Sequence, residues 1–166
     1  DGLADRAGYL NARNTLIALC GMDVVCIVNE NDVVAVEELE ERQFGDNDSL
    51  SAMVANLVDA DLLVVLTDIG GLFTADPRKD PSAELIPVVE QIDESIERLA
   101  GGTGTTQGVG GMATKIEAAR LATSSGVDVV VADGHEKDVL LRIDRGEQIG
   151  TRFLASVTRL ESRKRW

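Results

Sequence analysis

The chain has 166 residues, the length of one ordinary domain. A domain of that size buries roughly 70% of the surface its unfolded chain exposes, so neither a disulfide nor a metal is needed to hold its core. Sixteen Lys and Arg stand against 29 Asp and Glu, a net charge of −13 that repels a nucleic-acid backbone; five aromatic residues are too few for a base-stacking platform, and a single His135 excludes HExxH zinc chemistry.

The opening Asp1-Gly-Leu-Ala-Asp-Arg6 has neither a charged-then-apolar leader nor a helix start, and it reads as the middle of a protein. A helix is expected from about Ala7 to Cys20, with Gly21 as its stop. Val24 to Val28 is a short, wholly apolar, β-branched run, the pattern of a strand covered on both faces. Cys20 and Cys26 lie in these apolar surroundings at a spacing that suits neither a metal nor a redox CxxC motif. They read as reduced core residues of a cytoplasmic protein. Asn29 to Asp48 is polar, with a possible hairpin strand at Val33 to Val36. The helix after it carries Leu50, Met53, Val54, Leu57 and Val58 at i, i+3, i+4, i+7 and i+8, one buried stripe.

Leu62 to Leu66 reads as the next buried strand. It is the longest candidate membrane segment, far short of the roughly 18 residues a span needs, so no membrane partner is expected. A loop with Gly70-Gly71 and Asp76-Pro77 follows, then a possible strand at Leu85 to Val89 and an acidic helix at about Asp93 to Leu99. Gly101 to Gly111 is a glycine loop leading into a helix from Met112 to about Ser124. A strand at Val127 to Val131, a short helix at Val139 to Ile143 and a strand at Ile149 to Leu154 complete the pattern. Apolar strands separated by helices imply right-handed crossovers, so the expected fold class is α/β, a mostly parallel sheet with helices on both faces. Residues 159–166 carry a charge of +3 against −16 for the rest, a break that reads as a linker.

In open α/β sheets ligands bind beyond the carboxyl ends of the strands. Asn29-Glu-Asn-Asp32 follows one apolar run and is either a turn or a set of amides and carboxylates for a small polar ligand. Gly45-Asp-Asn47-Asp48 opens a helix with more acceptors than one cap needs. Thr67 and Asp68 end a strand before a Gly-Gly turn, within reach of a ribose or phosphate. The glycine loop ends in Gly110-Gly-Met-Ala-Thr-Lys115. Backbone amides at a helix start make an anion site, and Lys115 there opposes the helix dipole unless an anion is present. The loop is not a Walker A motif. Gly108, Gly110, Ala113 and Asp133 match a dinucleotide fingerprint, but the strand that should precede it is missing.

Taken in order, Asn29-Glu-Asn-Asp32, Gly45-Asp-Asn-Asp48, Leu66-Thr-Asp68, Gly71-Leu-Phe-Thr-Ala-Asp-Pro77 and Gly110-Gly-Met-Ala-Thr-Lys115 resemble the amino acid kinase family, and within it the branch that phosphorylates glutamate. The resemblance spans nearly the whole chain, with a longer Val33 to Phe44 segment as a local departure. It implies the nucleotide-binding, C-terminal portion of a kinase domain over residues 1–157 and a linker at 158–166 towards a PUA domain. The family's amino-terminal lysine, its glycine-rich segment and its substrate serine have no counterpart here. The implied reaction converts ATP and L-glutamate into glutamyl 5-phosphate, the first step towards proline, with Mg²⁺ accompanying ATP. It also implies a homo-oligomer inhibited by proline. By the same resemblance Asp32 and Asn47 hold glutamate, Thr67 and Asp68 contact ATP, and Val109, Gly110, Gly111, Met112, Ala113, Thr114 and Lys115 wrap its phosphates. Lys115 stabilises the transferring phosphoryl group and Asp48 organises the catalytic lysines. Two other readings of the residues stay open: a nicotinamide-binding domain, and a non-catalytic module that binds an amino acid.

Overall fold

The computed structural model describes residues 6–29, 47–101 and 111–157. Helix α1 (Arg6–Cys20) precedes α2 (Asn47–Leu57), β1 (Leu62–Thr67) and β2 (Val88–Val89). Then come α3 (Glu94–Leu99), α4 (Met112–Thr123), β3 (Asp128–Asp133), α5 (Val139–Asp144) and β4 (Thr151–Phe153). The sheet order is β1-β3-β4-β2. β1 runs parallel to β3 with Thr67 opposite Asp133, β2 runs parallel to β4, and β4 is antiparallel to β3 with Val131 opposite Thr151. The sheet is therefore mostly parallel, as expected.

The two faces of β3 are separated by the period of two along a strand. Val129 and Val131 point into a core with Val65, Phe153, Ala52 and Ala55 of α2, and Ile116, Ala118, Ala119 and Ala122 of α4. Val130 and Ala132 point the other way, onto Val139 and Ile143 of α5, with Ile149 and Leu62. Helices thus cover both faces, and buried aliphatic strands between two helical layers form an αβα sandwich. Gly150 sets how closely β4 approaches β3: it has φ +66°, and a Cβ there would lie 2.0 Å from the Val131 carbonyl oxygen. Among the described residues no helix is long and apolar enough to cross a membrane.

The structure corrects three expectations. The Val24–Val28 run forms no strand ladder: Val25 and Ile27 are 88% and 95% exposed, because no described strand pairs with them. Cys20 is exposed and Cys26 half-buried, so neither is a core residue, although both are free thiols. In α2 the buried positions are Ala52, Ala55 and Leu57, while Leu50, Met53 and Val54 are half-buried. Alanines are selected there because α2 lies directly on the alanine face of α4. Helix α1 ends at Cys20 as expected, with the Gly21 N–H closing its last turn on the Ile17 carbonyl at 3.0 Å. The reversal comes at Asp23, with φ 58°, a left-handed conformation that short polar side chains tolerate. The hairpin at Val33 to Val36 and the linker at 158–166 lie outside the described residues.

Candidate active site

Two helix starts meet on one carboxylate. α2 leads into β1 and α4 turns directly into β3, with the Val127 N–H bonded to the Ala122 carbonyl at 3.1 Å. Each helix therefore runs back along the sheet, and its amino terminus lies at the carboxyl edge of the parallel strands. The twelve residues of α4 and six of β3 span comparable depths, about 18 and 20 Å. α2 and α4 lie side by side in the same direction through their buried alanines. Asp48 meets Thr114 and Lys115 at one end, and Asn56 Nδ2 reaches the Leu121 carbonyl nearer the other.

Asp48 is the acidic residue of the first turn of α2, where the helix dipole favours it. Its Oδ2 accepts from Thr114 Oγ1 at 2.8 Å and from Lys115 Nζ at 3.0 Å. The Lys115 and Asp48 side chains are only 12% and 14% exposed. A cation at the start of α4 is disfavoured by that helix's dipole by about 0.3 to 1 kcal/mol, and Asp48 offsets the cost. The α4 cap is Gly111, with extended backbone and no side chain to offer; Thr114 Oγ1 returns to its carbonyl at 2.8 Å. Among the described residues, two positive helix ends and Lys115 meet the Asp48 carboxylate, a place suited to an anion.

The second group lies at the ends of β1 and β3. The Gly134 N–H donates to the Thr67 carbonyl at 2.8 Å, Thr67 Oγ1 donates to Asp68 Oδ1 at 3.2 Å, and Arg78 Nη2 pairs with Asp68 Oδ2 at 2.8 Å. Arg78 holds the Asp68 carboxyl below its ordinary value, helped by the Asp68 backbone N–H and the Thr67 hydroxyl. The Asp133 carboxyl is likewise lowered, first by the His135 backbone N–H and then by its ring, while nearby Asp68 opposes the shift. Beneath the loop after Asp68, fully buried Thr151 accepts from the Leu72 N–H at 2.8 Å and donates to the Ile86 carbonyl at 2.7 Å. This contact crowds Gly71, at φ +138°, where a Cβ would lie 2.7 Å from Thr151 Oγ1.

A third feature is a cavity of about 460 Å³ between the 24–29 segment, α2 and the open edge of β1. Asn29, Asn47 and Ser51 give it polar groups, and Val28, Leu50, Val54, Leu62 and Leu63 give it an apolar wall. Here the structure brings together Asn29 and Asn47, one described residue from each of the first two polar clusters of the sequence.

Of the residues singled out from sequence, Asn47, Asp48, Gly111, Met112, Ala113, Thr114 and Lys115 gather at the two helix starts, and Thr67 and Asp68 at the strand ends. Asp32, Gly108, Val109 and Gly110 lie outside the described residues. Sequence reasoning gave no role to Arg78 or Thr151. The Gly70-Gly71 turn was the signal for Arg78, since a sharp reversal after Asp68 returns the chain towards it; an isolated strand threonine carries no such signal.

The chain is 60% identical over 164 residues to the glutamate 5-kinase of Dehalococcoides mccartyi, covering 99% of this chain and 44% of that protein. It is 55% identical over 166 residues to the glutamate 5-kinase of Deinococcus radiodurans, covering all of this chain and 45% of that one. It thus spans under half the length of the curated relatives it matches. The fold is similar to that of the UMP kinase of Bacillus anthracis, with a TM-score of 0.63 and 18% identity over 87% of this chain and 52% of that structure. The sequence pattern of the amino acid kinase family matches residues 3–133, and with the sheet, the helix starts and the strand ends arranged as described, the chain belongs to the amino acid kinase family.

Proposed function

We propose that the chain is the nucleotide-binding portion of an enzyme that transfers the γ-phosphoryl group of ATP to the side-chain carboxylate of L-glutamate, giving glutamyl 5-phosphate for proline synthesis. The observation that carries this reading is the meeting of Asp48, Thr114 and Lys115 between two helix amino termini; the names of the relatives support the choice of acceptor. Val109 to Lys115 enclose the phosphates, Thr67 and Asp68 contact the nucleotide, and Asp32 and Asn47 hold glutamate. The Asn29 and Asn47 cavity supports that last placement.

The acceptor is already a carboxylate at neutral pH, its ordinary pKa being about 4.3, so the reaction asks for no general base. One glutamate oxygen bonds to the γ-phosphorus as the bond from that phosphorus to the β,γ-bridging oxygen breaks, and ADP leaves without a proton transfer. What the protein must supply is alignment and positive charge. Lys115 supplies charge at the transferring group, and Asp48 holds that lysine. Two of the groups on Asp48 Oδ2 are donors of this chain, and no cluster of three metal-ligating side chains occurs among the described residues. The described residues therefore do not fit a resident Mg²⁺; the ion enters as part of the ATP complex.

We assign the complete reaction to a polypeptide of the relatives' length, acting in the cytoplasm as a homo-oligomer under proline inhibition, and nucleotide binding alone to the 166-residue chain. The test is ADP release by the longer polypeptide. Release should depend on L-glutamate and fall by about 10² to 10³ in Asp48→Asn, the scale of losing one preorganised charge contact. Release indifferent to glutamate, or untouched by that substitution, would overturn the reading.

A further inference from the structure

We propose that Thr114 is a positioning residue: its hydroxyl fixes the Asp48 carboxylate so that one oxygen, Oδ2, receives the Lys115 ammonium. The proposal deepens the reading above and rests on it for the claim that Lys115 serves a phosphate.

Thr114 and Lys115 are consecutive, so their side chains leave α4 about 100° apart and do not face each other. Both nevertheless end on Asp48 Oδ2, at 2.8 and 3.0 Å, so they bracket that oxygen from two directions. They are not equivalent. An ammonium on a four-carbon stem is a mobile point charge with three rotatable donors, and it can follow either carboxylate oxygen. The terminal torsion of an aspartate is broad and gives it little preference of its own. A β-branched threonine is stiff at χ1 and its hydroxyl has one proton to direct, so it can select the oxygen. Ser51 binds the Asp48 main-chain carbonyl, at 2.6 Å, and leaves side-chain orientation to other groups.

The same Thr114 oxygen lies 2.8 Å from the Gly111 carbonyl. With one proton for two acceptors, the charged carboxylate is the stronger claimant. Thr114 therefore joins the exit of the glycine loop, the first turn of α4 and the first turn of α2 at one atom. The hydroxyl's role is to hold the group that holds the lysine; what Thr114 offers the phosphates is its backbone N–H.

The test uses the 166-residue chain with Thr114→Val, which removes the hydroxyl at constant shape, Thr114→Ser, which keeps it, and both Asp48→Asn and its combination with Thr114→Val. One readout is the rate of Lys115 acetylation by an N-hydroxysuccinimide ester, by peptide mass spectrometry, with 84%-exposed Lys79 as internal reference. The other is the dissociation constant for ATP-Mg²⁺. In Thr114→Val, Lys115 labelling should rise and ATP-Mg²⁺ binding weaken, each by about three- to tenfold, the size of one lost hydrogen bond. Thr114→Ser should restore both, and Thr114→Val should add nothing in the Asp48→Asn background. Unchanged Lys115 labelling overturns the proposal. So does weaker nucleotide binding that persists beside Asp48→Asn, since the Thr114 hydroxyl would then touch phosphate directly. If Thr114→Val does not fold, Thr114→Ala decides by the same readouts. A parent chain that ignores ATP-Mg²⁺ would sink the nucleotide reading, while the labelling arm would still decide the role of Thr114.

Discussion

Asp48 and Lys115 form a nearly buried pair whose partners are not interchangeable, because both sit at positive helix ends. Removing Lys115 leaves a carboxylate that two helix dipoles and the Thr114 hydroxyl still favour. Removing the carboxylate leaves an ammonium, 12% exposed, facing the dipoles that repel it. Breaking a buried pair costs about 3 to 5 kcal/mol when the remaining charge has no compensation, and that applies more to Asp48→Ala than to Lys115→Met. Thermal melts of the 166-residue chain should therefore rank Asp48→Ala well below Lys115→Met, and Lys115→Met close to the parent. The reverse order would mean that the helix ends do not set the local potential. Sequence alone placed both residues at helix starts and named both. It could not give their contact, which joins residues 67 positions apart on two helices lying parallel.

Among the elements, apolar blocks between helical patterns gave the strands. β1 and β3 pair in parallel; β3 is inside the sheet and buried, whereas β1 is at the edge of the described sheet and mostly half-buried, with Leu66 44% exposed. Helix α3, read from sequence as an acidic helix, is capped by Asp93, which accepts from the Ser95 N–H at 2.9 Å and the Ile96 N–H at 3.1 Å. The Ser95 hydroxyl, these amides and Arg98 together lower the Asp93 carboxyl below its ordinary 3.8. A lowered folded value means that the cap stabilises above the ordinary carboxylate range and that this contribution is lost as pH falls through the folded value. Asp93→Asn should lower the melting temperature at pH 7 and converge on the parent as pH falls through the lowered folded value of Asp93; a constant gap across that fall would show the charge to be irrelevant. Val24 to Val28 misled because an apolar run reports burial only where a partner strand exists. The α2 stripe misled because the largest apolar side chains were taken as the contact. In α2 and α4 close approach is the selected quantity, and alanine provides it.

At the scale of the whole molecule, an acidic chain of net charge −13 gathers positive potential at the carboxyl edge of its sheet among the described residues. There, two helix starts and Lys115 converge on one carboxylate. The net negative charge repels polyanions in general, so under the proposed function a nucleotide relies on local groups such as these. A nicotinamide fingerprint would rely on backbone contacts in the loop with little need for Lys115. Titration calorimetry of ATP-Mg²⁺ into the parent chain and into Lys115→Met, with NADH as the comparison ligand, tests the account most directly. The account predicts saturable ATP-Mg²⁺ binding that weakens at least about tenfold in Lys115→Met, the scale of one charge-assisted contact, with no comparable NADH binding. Equal ATP-Mg²⁺ affinities for parent and mutant, or tighter binding of NADH, would contradict it.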